Sequence, residues 1–312
     1  MCQALSERKV PFEIIDLKVS NKFPEYSKVA DVREIESLRN SVSGEIVVHL
    51  AAVHRDDVQD ISEYYNTNVN GTQNIARVCT DFGIKKIIFT STVAVYGFAE
   101  PDTGEDGKIN TFNDYGKSKY LAEEQLRSWH NRTDSSLVIV RPTAIFGEGN
   151  RGNIFNLFNQ IASNNFVMIG DGKNKKSIAY IKNVIAFLEE CISSTESYSL
   201  YNYVDTPDLD MNSLIKNVRV FLNKENTSGI RLPYWFGILL GYLADSFSYM
   251  SGRNLPLSSI RVKKFCSSSA FSSAKFKLNN FKAPFSLDEA LEKTLNSEFI
   301  NPDPNSEIFF SE

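Results

Sequence analysis

Lys86-Ile87-Ile88-Phe89-Thr90-Ser91 decides the fold. The run shows no polar alternation until its end, so both faces of such a strand must be covered, as in a parallel sheet flanked by helices. Before it, Glu63 to Phe82 carries a helical pattern, and Ile46-Val47-Val48-His49-Leu50-Ala51-Ala52 is another buried strand running out into small residues. After it, Asp114 to Asn131 is helical with a charged outer face, and Leu137-Val138-Ile139-Val140-Arg141 is the next strand. Phe12-Glu13-Ile14-Ile15-Asp16 reads as a short strand ending in an acid. Strand and helix alternate. This is the mark of an α/β, doubly wound parallel sheet, whose ligands lie at the carboxyl ends of the strands.

From Gly147 the character changes. Gly147-Glu148-Gly149-Asn150-Arg151-Gly152 is a loop, Asn153 to Asn164 a helix and Gly170-Asp171-Gly172 a tight turn. Ala179 to Ser193 reads as a helix, and Leu200 to Val204 as a strand that rejoins the sheet. The remainder is helix-rich, with a serine run at Ser267-Ser268-Ser269 and a last helix from Leu287 to Leu295. The tail, Asn301 to Glu312, has two prolines and no period, and is expected to be loose or draped over the surface.

The 312 residues are enough for a large core, and 42% hydrophobic with 23% charged residues is an ordinary globular balance. A formal net charge of −4 supplies no basic field for a polyanion, which argues against nucleic acid as a partner. A single nucleotide needs only a local cluster of donors. Cys2, Cys79, Cys191 and Cys266 lie far apart without metal-ligand spacing, so reduced thiols and a cytoplasmic location are expected. No metal site is expected. Glu7, Arg8 and Lys9 follow Met1 with no apolar run, so no signal peptide is expected there. Leu232 to Met250 is the strongest membrane candidate. It contains Pro233 and Asp245, and its unbroken apolar part is far short of the ~20 residues of a span. Packing on the domain is favoured for it over lying on a membrane surface.

The chemistry concentrates in Tyr115-Gly116-Lys117-Ser118-Lys119, preceded by Thr90-Ser91-Thr92-Val93-Ala94-Val95-Tyr96-Gly97. A tyrosine and a lysine four apart share one helix face. An ammonium beside a phenol favours the phenolate and lowers a pKa that starts near ~10. Such a phenol can take a proton from a sugar hydroxyl while hydride leaves the same carbon. Thr92, at a strand end, can hold the reacting oxygen.

These motifs, with His49-Leu50-Ala51-Ala52, Asn66-Thr67-Asn68-Val69-Asn70-Gly71-Thr72, Arg141-Pro142-Thr143 and Phe146-Gly147, stand in a familiar order. From about Cys2 to Val204 the chain resembles the extended short-chain dehydrogenase/reductases, in particular the NAD-dependent epimerase/dehydratase group that includes UDP-glucose 4-epimerase. The resemblance implies a Rossmann-like sheet with a smaller, helix-rich C-terminal substrate domain. The division it implies is 1–146 plus 176–204 for the dinucleotide and 147–175 plus 205–312 for the substrate.

It also implies roles. Tyr115 is the acid/base, Lys119 binds the nicotinamide ribose and tunes Tyr115, and Thr92 holds the substrate oxygen. Asp16 accepts from the adenosine ribose hydroxyls, which favours NAD over NADP. Asp31 and Val32 flank the adenine, Leu50, Ala51 and Ala52 line the cofactor, Asn68 braces the site, and Pro142 contacts the nicotinamide end. Asn153 and Lys176 meet the nucleotide-sugar substrate, Lys176 standing where an arginine is usual. His54 is read as structural rather than substrate-binding, and His49 as a satisfied core histidine. The implied activity is a nucleotide-sugar 4-epimerase or 4-keto reductase, on a UDP-hexose or UDP-N-acetylhexosamine. Val93 and Ala94 after Thr92 lack the Asp-Glu pair of dehydratases. The alternatives are a 3β-hydroxysteroid-dehydrogenase-like oxidoreductase and an inactive nucleotide-sugar-binding relative, and a homodimer is left open. No GxGxxG or GxxGxxG occurs, so the first strand and its phosphate-binding glycine turn are expected to be missing ahead of Cys2.

Overall fold

Alternation inside the central strands sets the two faces of the sheet. Ile87, Phe89, Leu137 and Ile139 point into one apolar cluster, and Ile88, Val138 and Val140 into the other. The computed structural model describes residues 1–55, 58–224, 229–252, 255, 257–273, 281–304 and 308–309.

In chain order the first half runs α1 (Cys2–Glu7), β1 (Ile14–Asp16), β2 (Ser27–Val29), α2 (Ile35–Arg39), β3 (Ile46–His49), α3 (Ser62–Tyr64), α4 (Gly71–Asp81), β4 (Lys86–Thr90), α5 (Asp114–Thr133) and β5 (Ser136–Pro142). There follow β6 (Ala144–Phe146), α6 (Asn153–Ala162), β7 (Val167–Ile169), β8 (Lys175–Lys176), β9 (Ile178–Tyr180), α7 (Ile181–Ser193) and β10 (Tyr198–Tyr203). The last elements are β11 (Leu209–Asp210), α8 (Met211–Phe221), β12 (Ile230–Leu232), α9 (Tyr234–Ser251), α10 (Ser259–Cys266) and α11 (Leu287–Leu295).

Strands β10, β5, β4 and β3 are hydrogen-bonded in that order, all parallel. Ile75 and Val78 of α4 and Leu126 and Trp129 of α5 cover one face, and Val184, Phe187 and Leu188 of α7 cover the other. This is the expected α/β sheet with helices on both sides. β1 and β2 form a separate parallel pair, from Ile14 opposite Ser27 to Asp16 opposite Val29. Phe12, Phe23 and Tyr26 stack beside that pair with ring centroids 4.8 to 6.3 Å apart. A third cluster gathers Phe146, Phe158, Met168, Tyr180, Leu214, Val218, Leu291 and Leu295. It draws on both halves of the chain, including strands β6 and β9, which pair with each other.

Two readings shift. The 63–82 helix is interrupted by a π-helical segment, Tyr65–Asn70. Ala179 and Tyr180 belong to β9, and α7 starts at Ile181. A short apolar run fits a buried strand and a buried helix equally well, so its periodicity could not separate the two. The tail is pinned at one point: Phe309 N–H donates to Gly149 O and Phe309 O accepts from Arg151 N, both at 2.8 Å. Residues 305–307 and 310–312 of that tail lie outside the described residues. The four cysteines are free. Among the described residues no helix is long and apolar enough to cross a membrane.

Candidate active site

The first turn of α5 is fixed before its chemistry is considered. Asn113 caps it, Oδ1 accepting from Gly116 N at 2.9 Å, and Tyr65 donates its hydroxyl to Asp114 at 2.7 Å. Gly116 then lets the helix lie against the turn that follows Thr92. A Cβ at Gly116 would stand 2.7 Å from Ala94 O, too close for any side chain. Tyr115, half-buried, is thereby held beside the Thr92–Ala94 turn, its ring 6.4 Å from that of Tyr64.

Thr92 is buried two residues beyond β4 and caps the short 3-10 helix Val93–Tyr96, its Oγ1 accepting from Ala94 N at 3.1 Å. Among the described residues nothing takes its own proton, which stays available to donate. Lys119, one turn after Tyr115, is 2% exposed. Its Nζ lies 4.1 Å from the centre of the Phe89 ring and makes no hydrogen bond among the described residues. Burial pushes the ammonium down to about 7, against the pull of Glu123. Between there and the ordinary lysine value of ~10.4, the unfolded chain holds a proton that the folded chain has released. Stability therefore rises with pH across that window and is lower below it. Lys119→Met is expected to stabilise the cofactor-free protein most at the acid end, with the gain vanishing above the window. Urea melts at a series of pH values check this, and a gain that does not change with pH would contradict it.

Beneath Lys119 lies a buried ion network that the sequence reading missed. Glu123, 0% exposed, accepts from Arg141 Nε at 2.8 Å and Nη2 at 2.6 Å, from Arg127 Nη2 at 2.6 Å and from Ser91 Oγ at 2.5 Å. Arg141 Nη1 donates to Tyr96 OH at 2.6 Å, which donates to Asn202 Oδ1 at 2.8 Å. Burial pushes the Glu123 carboxyl up, but the Arg141 and Ser91 bonds outweigh it and hold the group below the usual range. The network ties together the carboxyl ends of β4, β5 and β10. A signal existed, because Tyr115, Lys119 and Glu123 recur at four-residue steps on one helix face.

Asn68 is 1% exposed and braces the site through three hydrogen bonds. It bridges Val53 N and O at 2.8 and 2.9 Å, and donates to Ser118 Oγ at 2.9 Å, between Tyr115 and Lys119. Thr72 Oγ1 donates to Asn68 O at 2.6 Å, so it must accept from His49 Nε2–H at 2.8 Å. Burial beside Lys119 pushes His49 down to about 3, and the imidazole stays neutral. His54 is exposed.

Leu50 and Ala51 are exposed and Ala52 is half-buried, just past β3. Asp16 is exposed at the end of β1. Asp31 is clamped by Arg33, Nη2 to Oδ2 at 2.6 Å, and that contact holds its carboxyl below the ordinary range. The backbone of Val32 and Arg33 is in turn held by Asn74 Nδ2 at 3.0 and 3.1 Å. Pro142 is buried at the end of β5, and beside it Thr143 Oγ1 is buried without a hydrogen-bond partner among the described residues. An unpaired ammonium, an orphaned hydroxyl, an open floor of small residues and an exposed acid suit a dinucleotide lying across these strand ends.

The substrate residues are less concentrated. Asn153 is exposed at the start of α6. Lys176 is half-buried, with Nζ donating to Lys264 O at 2.8 Å and Ser267 O at 2.7 Å. It closes the end of α10, as a cation at a helix C-terminus does, instead of reaching into solvent. Neither residue lines the cavity of about 1060 Å³ that Phe98, Ile169, Arg231, Tyr234, Lys263 and Cys266 border. Tyr115, Lys119 and Thr92 do not border it either. Phe98 is the link: its ring lies 5.1 Å from that of Phe112, next to the Asn113 cap of α5.

Comparison with known proteins gives the family and the fold. Residues 1–202 match the model of the NAD dependent epimerase/dehydratase family. The chain is 44% identical over 302 residues to the N-acetyl-alpha-D-glucosaminyl-diphospho-ditrans,octacis-undecaprenol 4-epimerase of Escherichia coli O157:H7, covering 96% of this chain and 91% of that one. It is 28% identical over 208 residues to a UDP-glucose 4-epimerase of Vibrio cholerae, covering 64% of this chain and 63% of the relative. Among solved structures, a UDP-glucose 4-epimerase from Thermotoga maritima with UDP-glucose superposes with a TM-score of 0.74 at 18% identity. That match covers 95% of this chain and 93% of the other, and likeness at such identity speaks for the fold.

Proposed function

The chain belongs to the NAD dependent epimerase/dehydratase family, and we propose that it is a 4-epimerase of an N-acetylhexosamine carried on a diphosphate. The observation that carries the reading is Lys119, buried over Phe89 with no hydrogen bond among the described residues, one helical turn from Tyr115. Bound NAD would supply hydride transfer to and from the sugar carbon. Lys119 would hold its nicotinamide ribose and stabilise the Tyr115 phenolate. Tyr115 takes the proton of the sugar hydroxyl, and Thr92 donates to the same oxygen with its unengaged proton. The 4-keto sugar turns over, and Tyr115 gives the proton back on the other face. Asp16 suits the ribose diol at the adenosine end. The division expected from the sequence serves this scheme, with the sheet holding the dinucleotide and the C-terminal elements around the cavity taking the diphosphate. The free thiols, Cys79 and Cys191 among them buried, suit a reducing cytoplasm.

The 44% identical relative, by its name, works on a lipid-linked sugar, which favours a lipid diphosphate over UDP as the carrier here. Incubation of the full chain with NAD and an isoprenoid-diphospho-N-acetylglucosamine in detergent is expected to give the 4-epimer. UDP-N-acetylglucosamine run in parallel tests the carrier. Return of neither sugar's epimer, or stoichiometric reduction of NAD with the keto sugar as end product, overturns the reading.

A further inference from the structure

Helix α9 is built inside out. Its inward positions are small: a Cβ at Gly237 would stand 2.4 Å from Ile169 Cγ2, and one at Gly241 2.7 Å from Ser259 Cα. Asp245, its only charged residue, also turns inward, accepting from Ser259 N at 3.2 Å at the start of α10. Phe236, Ile238 and Leu240 are half-buried, and the other large residues face out. Trp235, Leu239, Tyr242 or Leu243, Phe247 and Met250 recur at three- to five-residue steps, and these six residues are 47% to 84% exposed. One stripe of aromatics and leucines thus runs the length of an 18-residue helix, with Ser246 as its polar member. A contiguous apolar patch of that kind on a folded domain marks a surface that docks.

The flank of the stripe identifies what it docks on. Residues 230–266 carry five Arg or Lys (Arg231, Arg253, Arg261, Lys263, Lys264) against Asp245 alone, in a chain whose formal net charge is −4. Arg253 lies outside the described residues. Lys263 Nζ meets Tyr242 OH at 3.2 Å, so cation and stripe are in contact. Aromatics and leucines beside a basic flank match the boundary of an anionic bilayer, with rings at the headgroup level and cations on the phosphates. A second copy would bring the same basic flank to a two-fold contact. The cavity opens at the N-terminal end of the same helix, through Arg231, Leu232, Pro233 and Tyr234.

We propose that the outer stripe of α9 seats the protein on an anionic lipid bilayer, with the cavity at the membrane surface. A sugar diphosphate anchored in that bilayer then reaches the Tyr115 turn past Phe98 without leaving the lipid. This last step rests on the 4-epimerase reading, while the docking itself does not.

The test uses the full chain and vesicles of phosphatidylcholine with and without phosphatidylglycerol. The chain has two tryptophans, and Trp129 is 1% exposed, so Trp235 at 65% reports the surface. Flotation with the anionic vesicles and a blue shift of emission are expected. Leu243→Glu with Phe247→Glu, both at exposed positions away from the cavity, is expected to cut the bound fraction on the order of tenfold with the thermal melt unchanged. No flotation and no shift on anionic vesicles overturns the proposal. So does a dimer that the double variant dissociates, which would assign the stripe to a second copy. Vesicle binding without epimerisation leaves the docking standing and removes the activity. Epimerisation in detergent without vesicle binding does the reverse.

Discussion

Tyr115→Phe is expected to lower turnover by ~10²-fold or more while leaving sugar-diphosphate binding nearly intact. The substitution removes one hydroxyl and keeps the ring, so the packing against Tyr64 and the seat beside Ala94 survive. On the proposed mechanism, what is lost is the group that exchanges a proton with the sugar oxygen. Thr92 cannot replace it, because a hydroxyl that accepts from Ala94 N holds an oxygen but is a poor base near neutral pH. Turnover and equilibrium binding, measured on the same preparation, check this. Near-normal turnover in the Phe variant would move the acid/base role to another residue.

The second large effect concerns stability. Glu123→Ala leaves the Arg141 guanidinium, 2% exposed, buried without its carboxylate, together with Ser91 Oγ. Breaking one side of such a pair costs about 3–5 kcal/mol. Urea unfolding of the cofactor-free chain is expected to show a loss of that order, and a loss under ~1 kcal/mol would mean that water or Tyr96 supports Arg141 instead. Replacing both partners, as Glu123→Leu with Arg141→Met, is expected to recover much of the loss, because no charge is then stranded. Turnover should suffer in the single variant as well. Ser91 precedes Thr92 and Arg141 precedes Pro142, so the network sets the strand ends on which the site stands.

The contrast between these residues tells what the sequence could convey. β4 and β5 were legible because strands buried on both faces have to be apolar throughout, and Ile87, Ile88, Val138 and Ile139 carry that on their own. The placement of Tyr115 and Lys119 on one helix face was legible because their spacing is local. Lys176 was not. The carbonyls it serves, Lys264 and Ser267, arrive from nearly ninety residues downstream, and no local pattern announces them. Asp31 illustrates the converse. Arg33, two residues away, was in plain view, but only the backbone turn at Asp31 to Glu34 brings the two together. The π segment at Tyr65–Asn70 hid inside an unbroken helical period, since inserting one residue into a turn leaves the composition of the stretch unchanged. The outward stripe of α9 was visible as apolar content, and packing was the natural reading. Gly237 and Gly241, which turn the helix inside out, gained their meaning only once Ile169 and Ser259 were found against them.

The separation of the β1–β2 pair from the four-stranded sheet has a dynamic consequence. Amide exchange follows local opening, and opening is easiest where few ladders and little apolar area must be broken. β4 and β5 lie in the sheet interior and open only with the whole domain, whereas β1 and β2 share a single ladder, with three packed rings beside them and Ile15 against the core. The amides of β1 and β2 are therefore expected to exchange faster than those of β4 and β5. On the proposed assignment, the acid that meets the adenosine ribose sits on the faster-exchanging pair, and the proton-moving groups sit beside the slower sheet.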